Sequence, residues 1–178
     1  MSAVLVYCGS SRAAEERHGA VARSLAALLV ARGHSLVYGG GRTGLMGIIA
    51  DGVLAGGGKV IGYIPRAMVS REVAHHDITE LHVVRDMHER KAAMMNAAEL
   101  IIALPGGIGT LEEWAEAITW FTLGYHAKPV GLLNAGGFYD PLIAQIERMQ
   151  DEGFLHAQVR EKIIVENDPA TLLARLGG

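Results

Sequence analysis

This chain of 178 residues has one cysteine, five prolines, three phenylalanines and two tryptophans. A lone Cys8 allows no internal disulfide and no cysteine-based zinc framework, so a reducing, cytosolic setting is the default expectation. No apolar run approaches the roughly 18 residues of a membrane span. The short apolar stretch Ala3 to Tyr7 has no basic segment before it and does not read as a signal peptide. A basic surplus is also missing: 16 Lys and Arg stand against 19 Asp and Glu, a net charge of -3. That balance argues against a nucleic-acid partner, which needs a cationic footprint, but leaves room for one small anion. His75-His76 lie in a polar stretch with no His-Glu-x-x-His spacing, so no metal is expected. What is abundant is apolar residues, 50% of the chain, and glycine, 23 in number. That composition suits one domain, residues 1–178, with a sizeable core.

Short β-branched runs alternate with helical patterns throughout. The predicted strands are Val4–Tyr7, Ser35–Tyr38, Lys59–Ile64, Ile78–Val84, Leu100–Leu104, Pro129–Leu133 and Lys162–Val165. The predicted helices are Ala13–Arg32, Leu45–Leu54, Met87–Ala98, Thr110–Leu123, Tyr139–Glu152 and Pro169–Leu176. Strict alternation implies right-handed crossovers and a mostly parallel sheet with helices on both faces, an α/β, doubly wound fold. The stretch Arg66 to Asp77 is polar, irregular and long enough to act as a lid or substrate loop.

Three small-residue turns join a strand to a helix. Pro105-Gly106-Gly107-Ile108-Gly109-Thr110 follows the fifth strand, and such a turn lets backbone N–H groups approach an anion at a helix N-terminus. Gly39-Gly40-Gly41-Arg42-Thr43-Gly44 contains Gly-x-Gly-x-x-Gly after the second strand. No acid stands after the third strand to hold a ribose 2′-hydroxyl, so the dinucleotide reading is incomplete. A tight packing turn is the alternative, but two glycine-rich strand-to-helix turns in one sheet favour a phosphate or sugar site, with Gly40 and Gly41 as substrate-binding candidates. Cys8-Gly9-Ser10-Ser11 is the third turn. Ser10 reads either as a helix cap or as a hydroxyl lining the same crevice. In open α/β sheets that crevice lies outside the carboxyl ends of the strands.

Charged residues cluster at two helix starts. Arg90 and Lys91 open a small, apolar helix, which places Arg90 near a crevice where a guanidinium suits phosphate or carboxylate. Glu112 and Glu113 follow the glycine turn in what reads as a first helical turn. One acid there suits the helix dipole; the other is free to face the cradle, where a carboxylate can stabilise an oxocarbenium-like centre or activate water.

On these residues the chain resembles the Lonely Guy family, the cytokinin riboside 5′-monophosphate phosphoribohydrolases. Pro105 to Glu113 matches the signature Pro-Gly-Gly-x-Gly-Thr-x-x-Glu, and Met87-His88-Glu89-Arg90-Lys91 matches the upstream Arg-Lys signature. Tyr7 to Ser11, Tyr38 to Gly47 and Ile118-Thr119-Trp120 are family-like as well. The resemblance implies a Rossmann-like fold, a homodimer, no cofactor, and hydrolysis of a nucleotide's N-glycosidic bond to free base and ribose 5-phosphate. It implies that Arg90 and Glu113 are catalytic, and that Glu72, Lys91, Gly106, Gly107, Gly109, Thr110, Glu112 and Thr119 contact substrate. The family's older label, lysine decarboxylase, needs a Schiff-base lysine. Lys91 is the only site lysine, and its pairing with Arg90 already has a phosphate-binding explanation.

Overall fold

Side chains alternate faces along a strand. In β1 (Ala3–Tyr7), Val4 and Val6 enter one apolar core while Leu5 and Tyr7 enter another. β2 (Ser35–Tyr38) and β5 (Leu100–Ala103) divide the same way, with Leu36, Tyr38, Leu100 and Ile102 in the first core and Val37, Ile101 and Ala103 in the second. A strand buried on both faces must be apolar throughout, which is why these runs are unbroken in sequence. The remaining strands are β3 (Val60–Pro65), β4 (Glu80–Val84), β6 (Val130–Leu133) and β7 (Ile163–Glu166). The computed structural model describes residues 2–69 and 74–177 and joins the strands in one sheet, ordered β4-β3-β2-β1-β5-β6-β7. Every strand pairing is parallel.

Helices cover both faces. α1 (Glu15–Ala31), α2 (Gly44–Ala55) and α7 (Pro169–Arg175) pack on the first core. α3 (Met87–Asn96), α4 (Ile108–Thr122) and α5 (Asp140–Asp151) pack on the second. The one-turn α6 (Ala157–Arg160) has no counterpart in the sequence pattern. The fold is therefore α/β, Rossmann-like and doubly wound. Leu5, Leu25, Leu29, Leu36, Ile49 and Ile101 are wholly buried; each such side chain contributes about 1.5–3 kcal/mol relative to exposure. Among the described residues no helix is long and apolar enough to cross a membrane.

Predicted boundaries shift by small amounts. The buried stripe of α1 is Ala22, Leu25, Ala26 and Leu29, with Val21 and Leu28 partly buried on its flanks. α4 starts at Ile108, before the expected Thr110. Glu112 and Glu113 consequently fall in the second turn, and no acid occupies the first. Of the Arg66–Asp77 segment, expected to be irregular, residues 70–73 lie outside the described residues. Arg66–Met68 forms a 3-10 turn, and Ala74 pairs antiparallel with Gly41.

The sheet order reverses between β1 and β5, so the crevice outside their carboxyl ends is the switch point where ligands of such sheets bind. Three loops meet there and are tied by backbone bonds. The Gly9 N–H donates to Pro105 O (3.2 Å), and the Leu45 N–H to Gly9 O (2.9 Å). Gly44, at φ 63°, abuts the Ser10 backbone so closely that a Cβ would lie 2.4 Å from its carbonyl carbon.

Candidate active site

The start of α4 forms the floor of the crevice. Its N-cap, Gly107, is in extended backbone, and no side chain caps the helix. Leu111 is the first residue whose N–H reaches a carbonyl of the turn, Gly107 O at 3.1 Å. The earlier N–H groups point out of the helix end, carrying its positive dipole. The three glycines of the turn differ in what they accommodate. A Cβ on Gly106 would meet Thr110 Oγ1 at 2.1 Å, so that glycine admits the buried threonine. A Cβ on Gly107 or Gly109 would meet nothing within 4 Å. The space above these two is kept open with no packing reason of the protein's own.

Arg90 is aimed into this crevice by backbone carbonyls. The Asp86 side chain caps α3 by accepting from the Glu89 N–H (2.9 Å), and the Glu89 carboxylate accepts from the Arg85 N–H (2.7 Å). That start puts Arg90 one turn into α3, 3% exposed. Its Nε donates to Tyr63 O (3.1 Å) and its Nη2 to Gly39 O (2.8 Å). Gly39 is required for this: a Cβ there would lie 2.0 Å from Nη2. The first glycine of the Gly-x-Gly-x-x-Gly loop thus admits a guanidinium from another helix, which accounts for it without a dinucleotide. Gly40, at φ 76°, packs on Leu81, Ile64 and the Tyr63 carbonyl.

Glu113, 8% exposed, shares a cleft of about 260 Å³ with Arg90, Thr110, Gly107 and Gly109. Cys8, Met46, Met68 and Met87 complete much of its wall. Burial pushes the Cys8 thiol up, Glu113 pushes it the same way, and Arg90 opposes them. The Tyr7 hydroxyl is likewise raised by burial and then by Glu113, Glu116 and Glu112. Both groups sit at the end of β1, so the charges of α3 and α4 converge there. A larger hollow of about 720 Å³ lies on the other side of the Gly106–Gly107 turn, lined by Gly9, Ser11, Arg17, His18 and Phe138.

Lys91 is placed differently from Arg90. Its ammonium is bonded to Glu112 and to Glu116 Oε1 (3.0 Å). Burial lowers its pKa, and the two carboxylates more than offset that, leaving it above the usual lysine value. A Schiff-base lysine needs the opposite shift. Adjacent residues point about 100° apart on a helix. Both carboxylates line the cleft: Glu113 is buried in its wall, while Glu112 is half-exposed and paired with Lys91. Ser10 is exposed at the rim beside Gly44. Gly40 O accepts from the His75 N–H, and Gly41 pairs antiparallel with Ala74. Thr119 is exposed, donates to Ala115 O (2.8 Å), and lies about 13 Å along α4 from Thr110 at 1.5 Å per residue. Glu72 lies outside the described residues. The methionines of the cleft wall have irregular spacing and left no signal in the sequence. Cys8 did have one, its place in the first small-residue turn.

A parallel, doubly wound sheet with a glycine-lined helix start at its switch point defines a Rossmann-like crevice protein, and comparison with known proteins narrows the class. The sequence model of the family described as "Possible lysine decarboxylase" matches residues 46–176. Over 173 residues the chain is 47% identical to a probable cytokinin riboside 5′-monophosphate phosphoribohydrolase of Oryza sativa subsp. japonica, covering 97% of this chain and 78% of the relative. It is also 47% identical to a cytokinin riboside 5′-monophosphate phosphoribohydrolase of Arabidopsis thaliana, covering 97% and 81%. Among solved structures, the molybdenum cofactor carrier protein of Chlamydomonas reinhardtii superposes with a TM-score of 0.72 at 21% identity, over 98% of this chain and 95% of that one. At that identity the likeness is one of fold. The chain belongs to the Lonely Guy family, the same family that carries the lysine decarboxylase description.

Proposed function

We propose that this protein hydrolyses the N-glycosidic bond of cytokinin riboside 5′-monophosphates, and of AMP, to the free base and ribose 5-phosphate. The observation that carries the reading is the cleft in which the open glycine end of α4 adjoins buried Arg90 and Glu113. The names of relatives at 47% identity support it. The 5′-phosphate binds the N–H groups at Gly107 to Thr110, where charge and geometry suit an anion. The ribose then lies over Glu113. Its carboxylate stabilises the positive charge that develops at C1′ as the bond to the base breaks, and orients the water that adds there. The bonding pair leaves with the base, which takes up a proton. Arg90 anchors the substrate in the cleft it shares with the Glu113 carboxylate.

Lys91 tunes this site through Glu112. The working unit is a cytosolic homodimer. Leu123 and Tyr125, 63% and 75% exposed near the end of α4, suit a contact between copies, and a second copy can bring Thr119 to the substrate that its own chain's cradle does not reach. To test the reading, the pure protein is incubated with isopentenyladenosine monophosphate and with AMP, and free base is measured by chromatography. Glu113→Gln should lower base release by at least about a hundredfold, the usual scale for a group acting on protons or charge in the transition state. No base from either nucleotide at high enzyme would sink the proposal.

A further inference from the structure

We propose that His75 is a positioning residue for Arg90, acting through the loop Gly39–Gly41; this rests on reading Arg90 as a catalytic guanidinium. Arg90 takes its aim from two carbonyls, and one of them, Gly39 O, lies just past the end of β2. Gly40 at φ 76° has left strand geometry, so this carbonyl is not held by the sheet ladder. It is held from outside. Gly41 pairs antiparallel with Ala74, and the His75 N–H donates to Gly40 O at 2.9 Å. The His75 ring is 1% exposed, and its Nε2 meets Asp51 Oδ1 of α2 at 2.9 Å. In the tautomer that carries the proton on Nε2, the ring donates to the carboxylate. The chain of contacts runs from α2 through Asp51, His75 and Gly40 to Gly39 O and Arg90.

Further ties hold this segment: the Ala74 N–H donates to Val69 O at 3.1 Å, and Arg42 pairs with Asp77 at 3.1 Å with side chains 52% and 66% exposed, a solvated pair that contributes little. Asp51 is itself 64% exposed, so what sets the His75 contact apart is the buried ring. Nδ1 is buried with no partner among the described residues, and the described anchor is the Nε2 contact. A glutamine can place its amide near the position of Nε2; an asparagine is too short.

The test compares wild type, His75→Asn, His75→Gln and Asp77→Ala with isopentenyladenosine monophosphate, each variant first shown to be folded by its melting curve. In His75→Asn, kcat should fall by roughly a hundredfold, the scale of an about 1 Å misplacement of a catalytic group. KM should rise by a smaller factor, because Arg90 is one of several substrate anchors and the phosphate cradle at α4 is untouched. His75→Gln should recover most of kcat, and Asp77→Ala should resemble wild type. Wild-type kcat in His75→Asn, equal losses in the Asn and Gln variants, or a loss confined to KM would each overturn the inference. A second readout does not depend on turnover. The Arg90 Nε–H, bonded to Tyr63 O, should exchange faster with solvent in His75→Asn and at the wild-type rate in His75→Gln. An unchanged rate in His75→Asn refutes the positioning role even if the wild type proves to release no base, an outcome that would refute the proposed hydrolysis separately.

Discussion

Replacing Gly39 by alanine adds a single methyl group, and its consequence can be worked out from the contacts around it. The new Cβ would stand 2.0 Å from Arg90 Nη2 and 3.1 Å from both its Cζ and the Met46 methyl. The guanidinium must retreat to at least 3.4 Å, where ordinary contact begins. It is 3% exposed, and a retreat of that size, even into the adjoining cleft, breaks its bond to Gly39 O or to Tyr63 O. Losing one hydrogen bond to a charged group costs about 1.5–3 kcal/mol, which for a domain of this size lowers Tm by about 3–12 °C. The displacement also exceeds the about 1 Å that typically costs a hundredfold in rate. Gly39→Ala should therefore be folded, less stable by calorimetry, and slower in kcat by at least about a hundredfold on that scale. Activity within threefold of wild type at an unchanged Tm would refute the account of Gly39 as the port for Arg90.

Gly109→Ala should behave in the opposite sense, because a Cβ there meets nothing within 4 Å. Alanine in place of a helical glycine should raise stability by up to about 1 kcal/mol. The methyl should still raise KM for a nucleotide monophosphate about tenfold or more, a loss of about 1.4 kcal/mol in binding; an unchanged KM would empty the cradle of its role. Lys91→Met removes the partner of Glu112 and Glu116 and should lower the urea midpoint by the equivalent of about 1–3 kcal/mol, less than a fully buried pair because Glu112 is half-exposed. Since the folded Lys91 pKa lies above its usual value, that difference should hold steady from about pH 7 to 9 and shrink only above about pH 10.4, as the lysine deprotonates. A difference that vanishes by pH 9 contradicts the assigned pairing. Cys8, buried with its thiol pushed up, should resist iodoacetamide at neutral pH in the native protein and react once unfolded. Equal labelling in both states, read by mass spectrometry, counts against this picture of the cleft wall.

The strands and their parallel pairing were legible because the cause is local. A strand covered on both faces must be apolar at every position, and each helix between strands needs its own apolar stripe. The crevice was legible for the same reason, since glycine turns after strands mark where backbone approaches backbone or ligand. Boundaries were less so: nothing in Ile108-Gly109 reads as helix, yet α4 starts there because Leu111 can close onto Gly107 O. That shift moved both acids out of the first turn. The one-turn α6 was missed because four residues are too few to show a period.

The amino-acid sequence by itself determined the fold class, the convergence of three loops at one end of the sheet, and the resemblance that singled out Arg90 and Glu113. Only the tertiary structure decided what several residues are for. Gly39 is a glycine because of an arginine 51 positions away, and no periodicity records a contact between such distant residues. Lys91 serves Glu112 and Glu116, while Arg90 beside it turns into the cleft. His75, one of a histidine pair with no metal pattern, is a buried anchor because Asp51 and Gly40 happen to meet it in space. Local pattern reports which backbone a segment prefers. The partner that a polar side chain finds is set by packing across the whole sheet.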